Sequence, residues 1–207
     1  DTTCAGDPPV TFDAGHPGGT FLWSADAAGQ VGQTFVSSSQ GNFTVTVTDS
    51  NSCKGAGSAS LVVNALPSPQ MQDEVMCQGG AGVNFSPGAA YVQYLWSGHA
   101  TGQTTPSVMG TQAGVYSVEV TDVNGCKNTT HATLVVDSMP SVDLGPDLAI
   151  CEGEEVVLFN QLNPDVDLTM SWSNGSTDPE IIVDSAGSYE IVVTDSSGCV
   201  GSDTLIL

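Results

Sequence analysis

Apolar and polar residues alternate along much of this chain. Gly41 to Asp49 places Phe43, Val45 and Val47 on one face and Thr44, Thr46 and Thr48 on the other. The same pattern returns at Tyr116, Val118 and Val120, and again at Tyr189, Ile191 and Val193, where Val192 interrupts the polar face. A period of two predicts half-buried β-strands. Each strand runs into a turn: Asp49-Ser50-Asn51-Ser52, Asp122-Val123-Asn124-Gly125 and Asp195-Ser196-Ser197-Gly198. Aspartate bonds its own downstream backbone there, and Gly or Asn accepts positive φ. The chain then returns as a last strand through Leu61-Val62-Val63, Leu134-Val135-Val136 and Leu205-Ile206-Leu207. Long stretches with helical periodicity are absent, so the expected class is all-β.

The pattern occurs three times. Cysteines stand at 4, 53, 77, 126, 151 and 199, so the two in each copy lie 49, 49 and 48 residues apart. Trp23, Trp96 and Trp172 follow the first cysteine of each copy by 19, 19 and 21 residues. Phe12, Phe85 and Phe159 each follow it by eight. Self-similarity at a fixed period marks a tandem array. Pro-bearing connectors, Ala65-Leu66-Pro67-Ser68-Pro69 and Asp137-Ser138-Met139-Pro140-Ser141, divide it into 1–65, 66–137 and 138–207. The first copy has three residues ahead of Cys4, so its first strand is expected to be missing or truncated. The absence of an apolar leader at Asp1 is read as a processed form or a fragment.

A module of about 70 residues with some seven short strands, a tryptophan and a cysteine pair predicts an immunoglobulin-like sandwich. The equal spacing predicts one disulfide per module, using Cys4, Cys53, Cys77, Cys126, Cys151 and Cys199. Each would tie the first strands to the start of the last strand, near one end of the sandwich. Closing a loop of that size is worth roughly 4 kcal/mol in the chain-entropy model, which matters for so small a core. No Cys-x-x-Cys spacing suggests metal, and disulfides imply an oxidising compartment.

Charge narrows the function classes. There are 23 acidic residues against Lys54 and Lys127, a net charge of -21. Nucleic acid and anionic lipid surfaces need clustered cations, so neither is an expected partner. No apolar run is long enough for a membrane span. His16, His99 and His131 recur at no fixed repeat position, and no nucleophile elbow, phosphate loop or dinucleotide fingerprint is present. No enzyme is therefore expected. Trp23, Trp96 and Trp172 keep one register and are expected in the cores. Tyr91 and Tyr94 are better placed for exposure. Acidic residues concentrate in the third copy, including Asp165 and Asp167. Asp137, Asp143 and Asp147 near the second connector are the calcium candidates, since calcium takes several carboxylate oxygens.

These segments resemble a known repeat. Leu144-Gly145-Pro146-Asp147 ahead of Cys151, Phe12-Asp13-Ala14-Gly15, Leu-Trp-Ser at Trp23 and Trp96, and Gly114-x-Tyr116-x-Val118-x-Val120-Thr121-Asp122-x-x-Gly125-Cys126 are similar to Ig-like/PKD-like modules. The kinship is to SprB-type repeats of large surface adhesins from gliding and related bacteria. It covers nearly the whole chain, three times over. It implies secretion, often by the type IX pathway, and O-glycosylation at Asp-Ser/Thr triplets, here Thr2, Ser138, Ser185 and Thr204. Ser52 departs from the glycine usual before the second cysteine, and its turn is expected to differ.

The expected function is a non-enzymatic, extracellular structural or adhesive repeat protein on a bacterial surface, forming a rod or filament. Its partners would be its own copies end to end, neighbouring repeats of a longer chain, or surface glycans. The alternatives are a calcium- or glycan-binding array and the stalk of a larger secreted protein.

Overall fold

The computed structural model describes residues 1–161 and 168–207, and Asp165 and Asp167 lie outside them. Three sets of strands follow one another. The first is β1 (Thr2–Cys4), β2 (Val10–Asp13), β3 (Thr20–Ala25), β4 (Thr34–Ser37), β5 (Gly41–Thr48) and β6 (Lys54–Asn64). The second is β7 (Glu74–Cys77), β8 (Val83–Phe85), β9 (Gln93–Gly98), β10 (Val108–Gly110), β11 (Gly114–Thr121) and β12 (Lys127–Asp137). The third is β13 (Val156–Phe159), β14 (Thr169–Trp172), β15 (Glu180–Val183), β16 (Ser188–Thr194) and β17 (Val200–Ile206). Among the described residues every regular element is a strand.

Each set forms a larger sheet and a two-stranded sheet. The order is β1-β6-β5-β3 with β2-β4, then β7-β12-β11-β9 with β10-β8, then β14-β16-β17 with β13-β15. Among the described residues these are immunoglobulin-like sandwiches of six, six and five strands, against the seven expected per module. The alternating strands lie centrally in the larger sheets, with their apolar side chains turned to the cores. Three separate cores result: one around Trp23, Phe35 and Phe43, one around Trp96, Val118 and Leu134, and one around Trp172, Ile191 and Leu205.

The tryptophans are 4%, 1% and 2% exposed. A buried indole N–H needs an acceptor. Trp23 donates to Gly32 O at 2.9 Å, Trp96 to Thr105 O at 2.8 Å and Trp172 to Asp178 O at 2.9 Å. Tyr116 and Tyr189 each send their hydroxyl back four residues, to Gln112 O and Ser185 O, which fastens the strand to the loop before it. Phe43 holds the corresponding place in the first core without that bond.

The first strand of module one is short rather than missing. Thr2, Thr3 and Cys4 pair in parallel with Val62, Val63 and Asn64. The four residues of β7 pair likewise with Leu134 to Asp137. This parallel pairing governs the cysteines.

Candidate functional site: the module junctions

Parallel pairing carries the first cysteine to the far end of the last strand. Cys4 stands opposite Asn64, and Cys77 opposite Asp137. The second cysteine sits just before that strand begins, at the β5–β6 or β11–β12 turn. An eleven-residue strand spans about 35 Å, and a disulfide needs Cα atoms within about 7 Å. The two cysteines of one module therefore cannot meet.

They bond across modules instead. Cys4 is joined to Cys126, with Cα atoms 5.6 Å apart, and Cys77 to Cys199, with Cα atoms 5.4 Å apart. Both bonds span 122 residues. The expected bridge within each module is thus replaced by a bridge from the far end of one module to the near end of the next. Cys53 and Cys151, expected in bridges of their own, are free and exposed. Cys126 and Cys199 are 1% and 0% exposed, so a junction closes over its sulfur.

The near end of each module is a preformed hairpin turn. Asp49, Asp122 and Asp195 use one carboxylate oxygen each to accept two backbone N–H groups. The donors are Asn51 and Cys53, Asn124 and Cys126, and Ser197 and Cys199, all at 2.8–2.9 Å. Gly125 and Gly198 each take φ 83°, and Ser52 takes φ 67°. The turn at Ser52 is therefore the same turn, against expectation, held in a conformation that costs a residue with a Cβ about 1 kcal/mol or more.

Further contacts seat the junctions. Asn128 donates to Pro67 O at 2.8 Å, which fixes the first connector to module two. At the second, Ser197 donates to the Asp137 carboxylate, and Gly201 lies so close to Pro140 O that a Cβ would overlap it. Pro67 and Pro69 are buried, so this connector is packed rather than free.

The calcium candidates do not converge. Asp143 accepts from Gly145 N at 2.8 Å, Asp147 from Ile206 N at 2.9 Å, and Asp137 from Ser138 N and the Ser197 hydroxyl. Among the described residues the ligand-type atoms that gather are those of Asp137, Asp195 and Cys199. The Cys199 sulfur is committed to Cys77, and Asp195 to its turn.

No polar or charged side chain is buried among the described residues. His16, His99 and His131 are exposed, and His99 packs on Tyr116 at 5.7 Å between ring centroids. Asp13 is held below the usual carboxylate range by the Gly15 N–H and by Gln33. Tyr91 and Tyr94 are half-buried, joined by a 2.8 Å bond from Tyr91 N to the Tyr94 hydroxyl. Thr2, Ser138, Ser185 and Thr204 are exposed.

No protein-family model and no curated protein matches the chain. Solved structures with similar folds include Sidekick-1 immunoglobulin domains 1–4, at 11% identity and TM-score 0.37, covering 100% of this chain and 72% of that one. The insect immune protein hemolin aligns at 13% identity and TM-score 0.34, over 100% and 73%. SGBP-B of the Bacteroides ovatus mixed-linkage glucan utilization locus, solved in complex with a mixed-linkage heptasaccharide, aligns at 15% identity and TM-score 0.25, over 99% and 65%. No helix in the described residues is long and apolar enough to cross a membrane.

Proposed function

We propose that this chain is a non-enzymatic, extracellular structural segment, a covalently stapled rod that bears load and supplies reach in an adhesin or surface fibre. The observation that carries this reading is the pair of overlapping inter-module disulfides, Cys4–Cys126 and Cys77–Cys199. Force arriving at Cys4 passes through sulfur to the near end of module two. It crosses that module to Cys77 at its far end and passes through sulfur again to Cys199. Modules two and three are loaded end to end, module one hangs off the path behind Cys4, and the connectors carry little of the tension. Such bonds persist in an oxidising compartment. The surface is acidic and studded with Ser and Thr, which suits an exposed solvated rod.

The division at 65 and 137, the SprB-type kinship, type IX secretion, a bacterial surface and O-glycosylation at Thr2, Ser138, Ser185 and Thr204 belong to the same proposal. They rest on the repeat motifs. The glycan-binding alternative is less favoured, because Tyr91 and Tyr94 have no aromatic pair at the corresponding places in the other modules.

Small-angle X-ray scattering on the oxidised chain tests the rod. Three sandwiches of about 35 Å placed end to end give a length near 100 Å and a radius of gyration of about 30 Å. A single compact body of this length would give about 17 Å. A value near the latter would overturn the reading.

A further inference from the structure

Two of the six cysteines are left over, and they are not alike. Cys53 occupies the second-cysteine place, which is bonded in both other modules, at Cys126 and Cys199. Cys151 occupies the first-cysteine place, which is also bonded in both other modules, at Cys4 and Cys77. The two open positions are therefore complementary halves of the junction already formed twice inside the chain.

Both halves keep the turn hydrogen bonds of their bonded counterparts, although Cys151, unlike Cys4 and Cys77, stands outside any paired strand. The Asp49 amide donates to Cys53 O at 3.0 Å, as Asp122 does to Cys126 O at 2.9 Å and Asp195 to Cys199 O at 3.0 Å. At the other half, Cys151 N donates to the Glu154 carboxylate at 2.9 Å, as Cys4 N does to that of Asp7 at 2.9 Å. The Glu154 amide returns to Cys151 O at 3.0 Å, as Asp7 returns to Cys4 O at 3.1 Å and Gly80 to Cys77 O at 3.0 Å. What the free halves lack is a partner, and their exposed sulfurs stand where the bonded ones are covered.

Charge selects between the pairings two copies could make. Lys54, exposed beside Cys53, is one of two cations in the chain, and Lys127 is already bonded to Glu119 at 2.8 Å. Cys151 is followed by exposed Glu152, Glu154 and Glu155. Bringing Cys53 to Cys151 sets a cation against carboxylates. Bringing Cys151 to Cys151 sets carboxylates against carboxylates.

We propose that Cys151 of one copy and Cys53 of a second copy form a further inter-module disulfide, so that the chain couples head to tail and the stapled pattern continues from copy to copy. The proposal rests on the rod reading. In the bond-forming step the two thiols lose two protons and two electrons to a small-molecule disulfide such as oxidised glutathione. That oxidant is reduced to two thiols as the new S–S bond closes.

The test uses two full-length variants, Cys53→Ser and Cys151→Ser, each keeping both internal disulfides and one reactive thiol. They are mixed in equal amounts in a glutathione redox buffer and separated under non-reducing conditions, with the cross-linked peptides identified by mass spectrometry. The expected result is a dominant Cys151–Cys53 heterodimer, a preference weakened by Lys54→Glu and by salt near 0.5 M. A statistical mixture, in which cross pairs merely equal the two kinds of like pair together, would overturn the proposal, as would no dimer at all. A compact monomer by scattering would sink the rod reading separately, whatever the thiols do.

Discussion

Cys77 and Asp137 are register partners at the far end of β12, and that pairing determines which cysteine Cys77 can reach. Its own module's second cysteine, Cys126, lies an eleven-residue strand away, while Cys199 of the next module lies at 5.4 Å between Cα atoms. The two cysteines stand at opposite ends of the module, too far apart to brace it within itself, and its neighbours brace it instead.

That arrangement makes the stability of one module depend on the next. The double variant Cys4→Ser/Cys126→Ser releases the loop that contains module one. The chain-entropy model assigns a loop of this size about 4–5 kcal/mol. Module one is expected to unfold first, in a separate transition lowered by about that amount, seen in denaturant melts followed by Trp23 fluorescence. Cys53→Ser, which removes an exposed thiol, is expected to leave the melt of the monomer unchanged. A double variant that melted as the parent does would show that the bond does not constrain the unfolded chain.

Ser52 takes the left-handed conformation at φ 67° where Gly125 and Gly198 stand in the other turns. Glycine enters that region without penalty but loses more entropy on folding. Ser52→Gly is therefore expected to stabilise module one by about 0.5–1 kcal/mol. Gly125→Ser should destabilise module two by a similar amount. The comparison of the two melts checks both, and equal signs would refute the strain argument.

Asp13 accepts from the Gly15 N–H at 2.8 Å and from the Gln33 side chain at 2.9 Å, and these bonds hold its carboxyl below the usual range. A carboxylate depressed in the folded state contributes stability above its unfolded pKa. That contribution is lost as pH falls through the folded value. Side-chain NMR titration should find Asp13 among the last carboxylates to protonate on acidification. Gln33→Ala should move it part of the way back, and no movement would assign the shift to the backbone N–H alone.

Much of the fold was legible in the chain. The alternation in Gly41–Thr48, Gly114–Thr121 and Ser188–Thr194 located the central strands. The constant place of Trp23, Trp96 and Trp172 located the cores. The bonding of the cysteines was not legible, for a physical reason. In a repeat of 73 residues, a first cysteine lies at a regular distance from its own second cysteine, 49 residues, and from the next module's, 122 residues, so spacing cannot choose between them. The choice is made by the parallel pairing of β1 with β6 and of β7 with β12. That pairing joins elements far apart in sequence and leaves no local mark. The turn at Ser52 keeps its shape without glycine because the Asp49 carboxylate bonds hold it with serine in place, and nothing in the residue at position 52 itself signals that.

Overlapping disulfides also set how far the chain can stretch. When every module unfolds under tension, the bonds at Cys4–Cys126 and Cys77–Cys199 remain. The shortest covalent path from end to end then enters module two at Cys126, runs backwards to Cys77 and leaves through Cys199. Only about 60 residues lie on that path, about 200 Å fully extended, against about 700 Å for the reduced chain. Asp1 lies at the far end of module one, so the two termini start about two sandwich lengths, about 70 Å, apart and can separate roughly threefold before the backbone is taut. Single-molecule pulling from the two termini should record a contour length near the smaller value under oxidising conditions and near the larger after reduction. Bridges closed within the modules would take out different stretches of chain: Cys4–Cys53, Cys77–Cys126 and Cys151–Cys199 together leave about 60 residues on the path as well, so total length alone does not separate the two pairings. The variant Cys4→Ser/Cys126→Ser does. With cross-module bonding it keeps Cys77–Cys199 and exposes a path of about 85 residues, about 290 Å. With bonding inside modules it would break two bridges and expose about 160 residues, about 540 Å. The shorter extension is the expected result, and the longer one would return the cysteines to their own modules.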